Sequence, residues 1–563
     1  MENTDPAIAA LEAEWARLEK VRYTDEASYG FGSFNPAVMF DIANFIHVSI
    51  PLVAHPNSSF RRDAELLRRI QEQIDYLRRI QLPSGCISLI ACNIDSPPDT
   101  AFAVHSVALC YQAAVKSRIP ELEGVIQGMR QFMEHTLPCL LTGGIHTPNH
   151  RWVLCGALAL LYEIFGDEAL KKRAFDYIGE GFDMNAAGEW TERSNAIYNP
   201  ICNLFLYHAG RVFQYEEAYA SIRQNLSMMR YMLHPGGAVV TEYSSRQDLG
   251  EIMMLNEDYE VICRLMAAKD GNPQFGALAN LAAANRDGKG KSVLYELVFP
   301  DEMKRGRSAS SLKDLPDRYT VLLNEGARAR VSGTIPPIRQ AVHSGAPIVR
   351  HRNGKLSVTL MSGQENFLYV QYGSARIVGI KLSLGWFGIA GVPFSDLKRI
   401  DESRYELSLQ LEGSYRGPLD HSLAASAGGA FFDMPNEQRE KTHITALPVV
   451  IGVEWGAREV HVDLRVDAVP HLFAQLIVAS DRMAELSGDM TAVMPNAHLL
   501  NGNAARIRQA RDCMEIVAGA CEHDFITLRN DHLSPNAQHL ICNYMTPLNR
   551  RFTIRCSELT TKE

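Results

Sequence analysis

Residues 61–80 read RRDAELLRRIQEQIDYLRRI and set apolar side chains three and four positions apart. The apolar positions are Leu66, Leu67, Ile70, Ile74, Leu77 and Ile80, and arginines lie on the opposite face. This spacing predicts an amphipathic α-helix that buries one side. Comparable segments, such as EEAYASIRQNLSMMRYML at 216–233, recur up to about residue 290.

Short turns rich in glycine, proline and aspartate separate these segments, as in FGDE at 165–168 and HPGG at 234–237. We expect roughly ten or eleven helices whose sequential neighbours pack antiparallel. Such a helical half forms either an open solenoid or a closed ring. No repeat signature typical of a solenoid is present, which favours an (α/α) toroid of helical hairpins.

The second half of the chain changes to a period of two. KLSVTLM at 355–361, RYELSLQLEG at 404–413 and REVHVDLRVD at 458–467 alternate apolar and polar residues. This alternation predicts half-buried antiparallel strands, and FLYVQYG, ALPVVIGVEWG and HDFITLRN add further candidate strands. The predicted fold class is therefore α+β multidomain, with a C-terminal antiparallel β-sandwich after the toroid.

We place the toroid at 1–290, a linker with small elements at 291–340 and the β-sandwich at 341–563. The linker assignment rests on the loss of helical period and the gathering of Gly, Pro and charged residues.

Composition excludes several classes of protein. The chain has 563 residues, 46% hydrophobic and 21% charged, and a formal net charge of -9 without long runs of like charge. We therefore expect neither a nucleic acid nor a membrane as partner. The 11 cysteines form no Cys-x-x-Cys pair, and the N-terminal segment lacks the pattern of a secretion signal, so we predict a cytoplasmic protein.

Two polar segments stand out within the helical half. TGGIHTPNHRWVLCG at 142–156 places Asn149, His150 and Arg151 at the head of an apolar run. AAGEWTERSNAIYNPICNLFLYH at 186–208 places Glu192, Ser194 and Tyr198 ahead of another apolar run, and a helix starting near Ser194 would have that serine as its N-cap. Each segment is either a capped helix start or part of a reaction centre.

Together the two segments resemble the Asn-His element and the Gly, Glu, Ser and Tyr element of heparinase II/III-like and alginate-lyase-like polysaccharide lyases. That family has an (α/α) toroid followed by an antiparallel β-domain. The resemblance implies β-elimination at a uronic acid, in which the C5 proton is removed and O4 departs. Asn149 would hydrogen-bond the uronate carboxylate, His150 would accept the proton, and Tyr198 would protonate the leaving oxygen.

A third segment, HPGGAVVTEYSSRQDLG at 234–250, adds Tyr243 and Arg246, and the arginine could pair with a uronate carboxylate. The related lyases also supply a histidine from the β-domain. His343 and His351 are the candidates here, with His351 preferred. The His-x-Asp pattern of the family is absent at this place, and we predict neither a required metal nor a cofactor.

The candidate catalytic and binding residues also have simpler structural explanations. Glu192 could accept from a helix N-terminus, and Asn149 could be an N-cap. His150 could be a hydrogen-bonded or solvent-facing histidine, and Tyr198 could be a core tyrosine. Further candidates for contact with the sugar are Trp190, Tyr243, Arg151, His146 and His105.

These patterns predict an enzyme that cleaves a uronate-containing oligosaccharide or polysaccharide and leaves a C4–C5 double bond. A glycoside hydrolase on the same scaffold is the first alternative and would need two carboxylates about 5 to 10 Å apart. Asp183, Glu189, Glu192 and Glu242 are available for that purpose. A non-catalytic glycan-binding protein is the second alternative, and the sequence leaves open whether the chain forms a homo-oligomer.

Overall fold

The structure, a computed structural model, describes residues 6–28, 30–33, 44–286, 288–307, 311–329, 345–426 and 428–559. The chain divides into two compact units. The helical unit comprises Met1–Leu233 and Gly237–Pro316, and the β unit comprises His234–Gly236 and Asp317–Glu563. None of the helices in the described ranges combines the length and the apolar composition needed to cross a bilayer.

The described part of the helical unit contains thirteen α-helices and one short hairpin. The helices are α1 Pro6–Glu19, α2 Asn44–Ala54, α3 Ala64–Arg79, α4 Pro97–Ser117, α5 Glu123–Thr142, α6 Asn149–Phe165, α7 Glu168–Ile178, α8 Tyr198–Phe213, α9 Glu216–Met229, α10 Glu257–Asp270, α11 Pro273–Ala283, α12 Lys291–Val298 and α13 Pro300–Gly306. The hairpin pairs β1 Ile87–Leu89 with β2 Asn93–Ser96.

Six of these helices form a closed inner ring. α2 contacts α4, α4 contacts α6, α6 contacts α8, α8 contacts α10, α10 contacts α12, and α12 returns to α2. The other helices pack against this ring; for example, α5, α7, α9 and α11 contact α4, α6, α8 and α10 respectively. The predicted (α/α) toroid is confirmed.

The inner and outer helices differ as their environments require. The inner helix α6 is buried along nearly its whole length, and its sequence is apolar on most sides. The outer helix α3 buries one face, which includes Leu66, Ile70 and Ile74. An amphipathic stripe suits a helix with one solvent face, whereas an all-round apolar sequence suits a helix between two layers.

The closing helix α12 lies where the sequence analysis placed the start of the linker at 291–340. Its residues Val293, Leu294 and Tyr295 are buried. The segment has only eight residues, too few to show a clear helical period among its charged neighbours, although it completes the ring. The linker range also contains α13 and the first strand of the β unit.

The described part of the β unit contains one sheet of sixteen strands and a short helix, α14 His421–Ser426. The strands are β3 Arg318–Leu323, β4 Ile348–Asn353, β5 Leu356–Met361, β6 Leu368–Tyr372, β7 Ala375–Leu384, β8 Ala390–Gly391, β9 Asp396–Arg399, β10 Arg404–Arg416, β11 Lys441–Trp455, β12 Glu459–Val466, β13 Phe473–Asp481, β14 Glu485–Met494, β15 Ala497–Gln509, β16 Asp512–Val517, β17 Ala537–Met545 and β18 Leu548–Glu558. The main path runs β3-β4-β5-β6-β7-β13-β17-β15-β16-β18-β12-β11-β10-β9, while β14 pairs with β15 and β8 with β7.

The two flanks of the sheet share one apolar core. Side chains from β5 and β6, such as Val358 and Val370, belong to the same buried cluster as Leu407 of β10 and Leu464 of β12. In the described strands the pairing is antiparallel except between β15 and β17, which run parallel over Ala497–Leu499. The predicted β-sandwich is confirmed, and KLSVTLM, RYELSLQLEG and REVHVDLRVD coincide with β5, β10 and β12.

One predicted strand is wrong. HDFITLRN at 523–530 is not a strand, although its residues alternate like one. Its backbone carbonyls accept hydrogen bonds from side-chain amides instead. Gln475 donates to the carbonyls of Phe525 and Ile526. Asn543 donates to the carbonyls of His523 and Phe525. Bonds from amide side chains here take the place of a ladder partner.

Candidate active site

The N-termini of α6 and α8 bring the two polar segments together. Asn149 is the first residue of α6 and Tyr198 is the first residue of α8. The two helices are ring neighbours, and Gly156 lets them approach closely, since a Cβ there would lie 2.7 Å from the carbonyl oxygen of Phe205. Ser194 lies outside α8, yet its hydroxyl still accepts from the N–H of Tyr198 at 3.2 Å.

Asn149 is buried and does not cap α6. The residue that precedes the helix is Pro148, and no side chain makes a cap bond there. The Asn149 amide nitrogen donates to Thr147 Oγ1 and to Glu192 Oε1, both at 3.0 Å. Its Oδ1 atom is buried and has no hydrogen-bond partner among the described residues. A buried carbonyl oxygen without a donor is uncommon and needs an explanation beyond helix formation.

Arg246 connects Glu192 to Tyr198. Its Nη1 atom lies 3.0 Å from Glu192 Oε1, and its Nη2 atom donates to the Tyr198 hydroxyl at 3.1 Å. The guanidinium carbon also lies 4.5 Å from the centroid of the Tyr198 ring. Asn149, Glu192, Arg246 and Tyr198 therefore form one hydrogen-bonded chain, called here the site chain.

Glu192 is the buried member of this ion pair, with 5% of its side chain exposed against 22% for Arg246. Burial raises the pKa of the Glu192 carboxyl, while Arg246 and the Asn149 amide act in the opposite direction. Breaking such a pair by removing one partner costs more than the pair itself contributes, since a lone buried charge remains.

His150 lies beside the site chain. Its ring is 4.6 Å from that of His146 in an edge-to-face arrangement, and its buried Nδ1 atom has no hydrogen-bond partner in the part of the chain that the structure describes. Burial lowers the pKa of His150 to about 4, with a smaller contribution in the same direction from His146 and a further one from Arg246. The imidazole is consequently neutral at neutral pH. His146 itself is exposed.

Three predicted binding residues belong to the interior of the helical unit. Trp190 is 2% exposed and donates to Asn203, and Tyr243 is 4% exposed and accepts from Asn195. His105 stacks on Phe205 with ring centroids 4.0 Å apart. Packing covers the rings of Trp190, Tyr243 and His105, so we do not propose them as residues that contact a sugar.

Arg151 and His351 have partners of their own. Arg151 pairs with Asp183 at 2.9 Å and lies over the Trp152 ring. His351 belongs to β4, where its Nδ1 atom is 2.8 Å from Thr320 Oγ1 and its ring stacks on Trp455. The catalytic role of His351 stays a prediction, and His343, the other candidate, lies outside the described residues.

Sequence reasoning missed Thr147 and Asp248. Thr147 orients the Asn149 amide, and Asp248 is completely buried next to the segment that carries Arg246. The two serines and the aspartate in YSSRQD were the available signal, because such residues bond to nearby backbone groups. Across the described ranges, no group of three or more His, Cys, Asp and Glu side chains is arranged to hold a metal ion.

The sequence matches no family model and no curated protein. Similarity is found among solved structures. The chondroitin AC lyase of Streptomyces coelicolor A3, solved with chondroitin sulphate, aligns with 100% of this chain and 81% of its own, with a TM-score of 0.52 and 12% identity.

Heparinase III aligns with 100% of this chain and 84% of its own, with a TM-score of 0.51 and 10% identity. Paenibacillus xanthan lyase gives a TM-score of 0.55 at 9% identity, and this chain spans 58% of its length. The chain thus has the fold of these polysaccharide lyases, a helical toroid followed by an antiparallel β-sandwich.

Proposed function

We propose that this protein is a lyase that cleaves an oligosaccharide or polysaccharide at a uronic acid by β-elimination. The observation that carries the proposal is the site chain, which joins Asn149, Glu192, Arg246 and Tyr198 next to a neutral His150. The fold shared with lyases of other glycans supports it.

The chemistry sets three requirements. Removing the C5 proton beside a carboxylate places further negative charge on an anionic group, so that charge must be stabilised. A base must accept the C5 proton, and an acid must protonate O4 as the bond to it breaks. The reaction opens the C4–O4 bond and leaves a double bond between C4 and C5.

Tyr198 fits the acid. Its hydroxyl oxygen accepts from Arg246, and no group among the described residues accepts the hydroxyl proton. That proton is free to pass to a leaving oxygen. The guanidinium then stabilises the charge left on the phenol oxygen, because a cation at hydrogen-bond distance favours an anionic partner.

His150 fits the base. A neutral imidazole can accept a proton, and the lowered pKa of about 4 keeps His150 neutral across the physiological range. The arrangement also allows Tyr198 to perform both steps after losing its proton to a neighbour. The two routes differ in the group that carries the C5 proton.

Asn149 and Arg246 are the groups suited to the uronate carboxylate. Both amide hydrogens of Asn149 are bonded within the protein, so binding a carboxylate requires the exchange of Thr147 or Glu192 for the substrate. Arg246 is the cation of the site chain and remains partly exposed. A carboxylate that binds here competes with Glu192 for both donors.

The site gives less support to a hydrolase. Three of the four carboxylates available for hydrolysis are bound in ion pairs: Asp183 with Arg151, Glu189 with Arg193 and Glu192 with Arg246. Glu242 is buried and accepts from the N–H of Thr241. A hydrolase needs one carboxyl group as an acid and a second as a base or nucleophile.

The deciding experiment incubates the protein with a panel of uronate oligosaccharides: glucuronan, alginate, heparan and rhamnoglucuronan. A lyase produces the ultraviolet absorbance of a C4–C5 unsaturated product. A hydrolase produces new reducing ends without this absorbance, and a glycan-binding protein produces neither. Absence of the chromophore on every member contradicts the proposal, whether or not new reducing ends appear.

The matched variant is Tyr198→Phe, which removes one hydroxyl. We expect turnover to fall by at least about 100-fold, since a positioned acid typically contributes that much. Substrate binding, measured by calorimetry, should persist. Tyr162→Phe is the control, because the Tyr162 hydroxyl bonds to Glu168 on the surface of α6 and should not affect turnover. Full activity of Tyr198→Phe would refute its assignment as the acid.

A further inference from the structure

Asp248 joins the two segments that carry Tyr198 and Arg246. The residue is completely buried and has no cationic partner in the bonds seen among the described residues. Its Oδ1 atom accepts from the hydroxyl of Ser194 at 2.9 Å and from the hydroxyl of Ser244. Its Oδ2 atom accepts from the backbone N–H of Ala196 at 3.1 Å.

Each serine also accepts a hydrogen bond from the backbone of Tyr198 or Arg246. Ser194 Oγ accepts from the backbone N–H of Tyr198 at 3.2 Å, and Ser244 Oγ accepts from the backbone N–H of Arg246 at 3.1 Å. A serine hydroxyl has one donor and can rotate. Because both hydroxyls donate to Asp248, their hydrogens point toward it and their lone pairs are left for the two N–H groups.

We propose that Asp248 is a positioning residue that holds Tyr198 and Arg246 in register through Ser194 and Ser244. The inference rests on the proposed lyase function and extends it to a group that does not touch the substrate. Asp248 acts on the backbone of both residues at once. It thereby sets the distance between the Tyr198 hydroxyl and the Arg246 guanidinium.

The same two segments have a second link that does not involve Asp248. The backbone N–H and hydroxyl of Ser245 both donate to the carbonyl oxygen of Glu192, at 3.3 Å and 2.6 Å. This link holds the segments together when the Asp248 link is lost. We therefore expect Asp248 variants to fold, with Tyr198 and Arg246 displaced relative to each other.

The test compares Asp248→Asn with the wild type on an oligosaccharide that the wild type cleaves. An asparagine places an N–H₂ group where at least one of the three donors needs an acceptor. We expect kcat to fall by about 100-fold, the size of effect that a misplacement of about 1 Å produces. KM should rise by less than kcat falls, because Asn149, the other group suited to the uronate carboxylate, lies on α6 and is not bonded to Asp248.

Ser194→Ala and Ser244→Ala repeat the test without altering the carboxylate, and they decide the matter if Asp248→Asn does not fold. Each should lower kcat by a larger factor than it raises KM. Adding Ser194→Ala to Asp248→Asn should lower kcat by less than the product of the single effects, because the two groups act as one unit. The control is Ser362→Ala, which removes a buried hydroxyl of the β unit and should leave kcat unchanged.

Hydrogen exchange separates this inference from the proposed function. In Asp248→Asn the amides of Tyr198 and Arg246 should exchange faster than in the wild type, whether or not a lyase product forms. Unchanged exchange at both amides would overturn the inference. So would wild-type kcat in the folded variants, or equal losses in kcat and binding. A wild type without any unsaturated product would instead overturn the lyase proposal.

Discussion

At the scale of single residues, His150 shows what a motif can and cannot predict. The adjacency of Asn149 and His150 predicted two groups at one centre, and the residues do lie beside Glu192 and Arg246. The motif contained nothing about the burial of the imidazole. Burial depends on residues far away in sequence, and it changes the pKa of His150 by more than any neighbour does.

This burial has a measurable consequence for the pH profile. If His150 is the base, kcat/KM should stay near its plateau down to about pH 5, because the lowered pKa of about 4 keeps the imidazole unprotonated. An imidazole at its ordinary pKa of about 6.5 would have lost most of its free base at that pH. The measurement is initial rate against pH, with folding monitored at each pH.

His146→Gln tests the neighbour. The charge of His146 lowers the pKa of His150, so its removal should move the acid limb toward higher pH. A limb centred near pH 6.5 in the wild type would contradict the assignment of a buried His150 as base. An unmoved limb in His146→Gln would show that the two rings do not interact electrostatically.

At the scale of elements, the burial of the inner-ring helices explains why some candidate residues lie in the core of the helical unit. His105 of α4 was a candidate for contact with the sugar because its segment, SPPDTAFAVHSV, could line the cleft of the toroid. The helix proved buried along most of its length, and His105 packs between Phe205 and His208. Periodicity identifies a helix, but it does not show which turn faces the opening of a ring.

Buried histidines of the inner helices predict acid sensitivity. His47 of α2 is 1% exposed, and neither of its ring nitrogens has a hydrogen-bond partner within the described ranges. Burial lowers the pKa of His47 to about 3, and the charge of Lys291 lowers it further. His105 and His208 shift in the same direction for the same main reason. These histidines fold in the neutral form.

The sign follows from the unfolded state. Unfolded histidine takes up a proton as the pH falls through about 6.5, while folded His47 does not until about pH 3. Each such group therefore removes up to about 1.4 kcal/mol of stability for each pH unit between these values. The melting temperature should fall steadily from pH 7 to pH 5.

His47→Gln should flatten this slope, because glutamine does not titrate. The exposed His421 offers a control, and His421→Gln should leave the slope unchanged. Thermal melts at matched ionic strength provide the measurement. A slope identical in His47→Gln and the wild type would mean that His47 is protonated, or solvated, in the folded protein.

At the scale of the whole molecule, the change of hydrophobic period predicted the two architectures better than it predicted their boundary. The helical and β patterns are properties of many residues, so single exceptions do not hide them. The boundary depends on short elements such as α12 and β3, and on the segment His234–Gly236, which belongs to the β unit although helices surround it in sequence. Local pattern cannot reveal a contact made more than a hundred residues away.

That small segment provides a test of the division into units. His234 is 2% exposed, its Nδ1 atom is 3.0 Å from Ser357 Oγ, and its ring lies 4.5 Å from that of Tyr369. The carbonyl of Pro235 accepts from Gln371 at 3.1 Å. Two units with separate cores should give two calorimetric transitions, and His234→Ala should lower the one that belongs to the β unit.

Reference variants identify the transitions. Leu226→Ala opens a cavity at α9 and should lower the free energy of unfolding of the helical unit by about 2–5 kcal/mol. Leu464→Ala opens a cavity at β12 and should lower the free energy of unfolding of the β unit by a similar amount. His234→Ala should shift the same transition as Leu464→Ala, with a smaller loss of unfolding free energy, about 1–3 kcal/mol. If His234→Ala instead follows Leu226→Ala, the segment stabilises the helical unit. A single transition in every variant would show that the two units unfold as one.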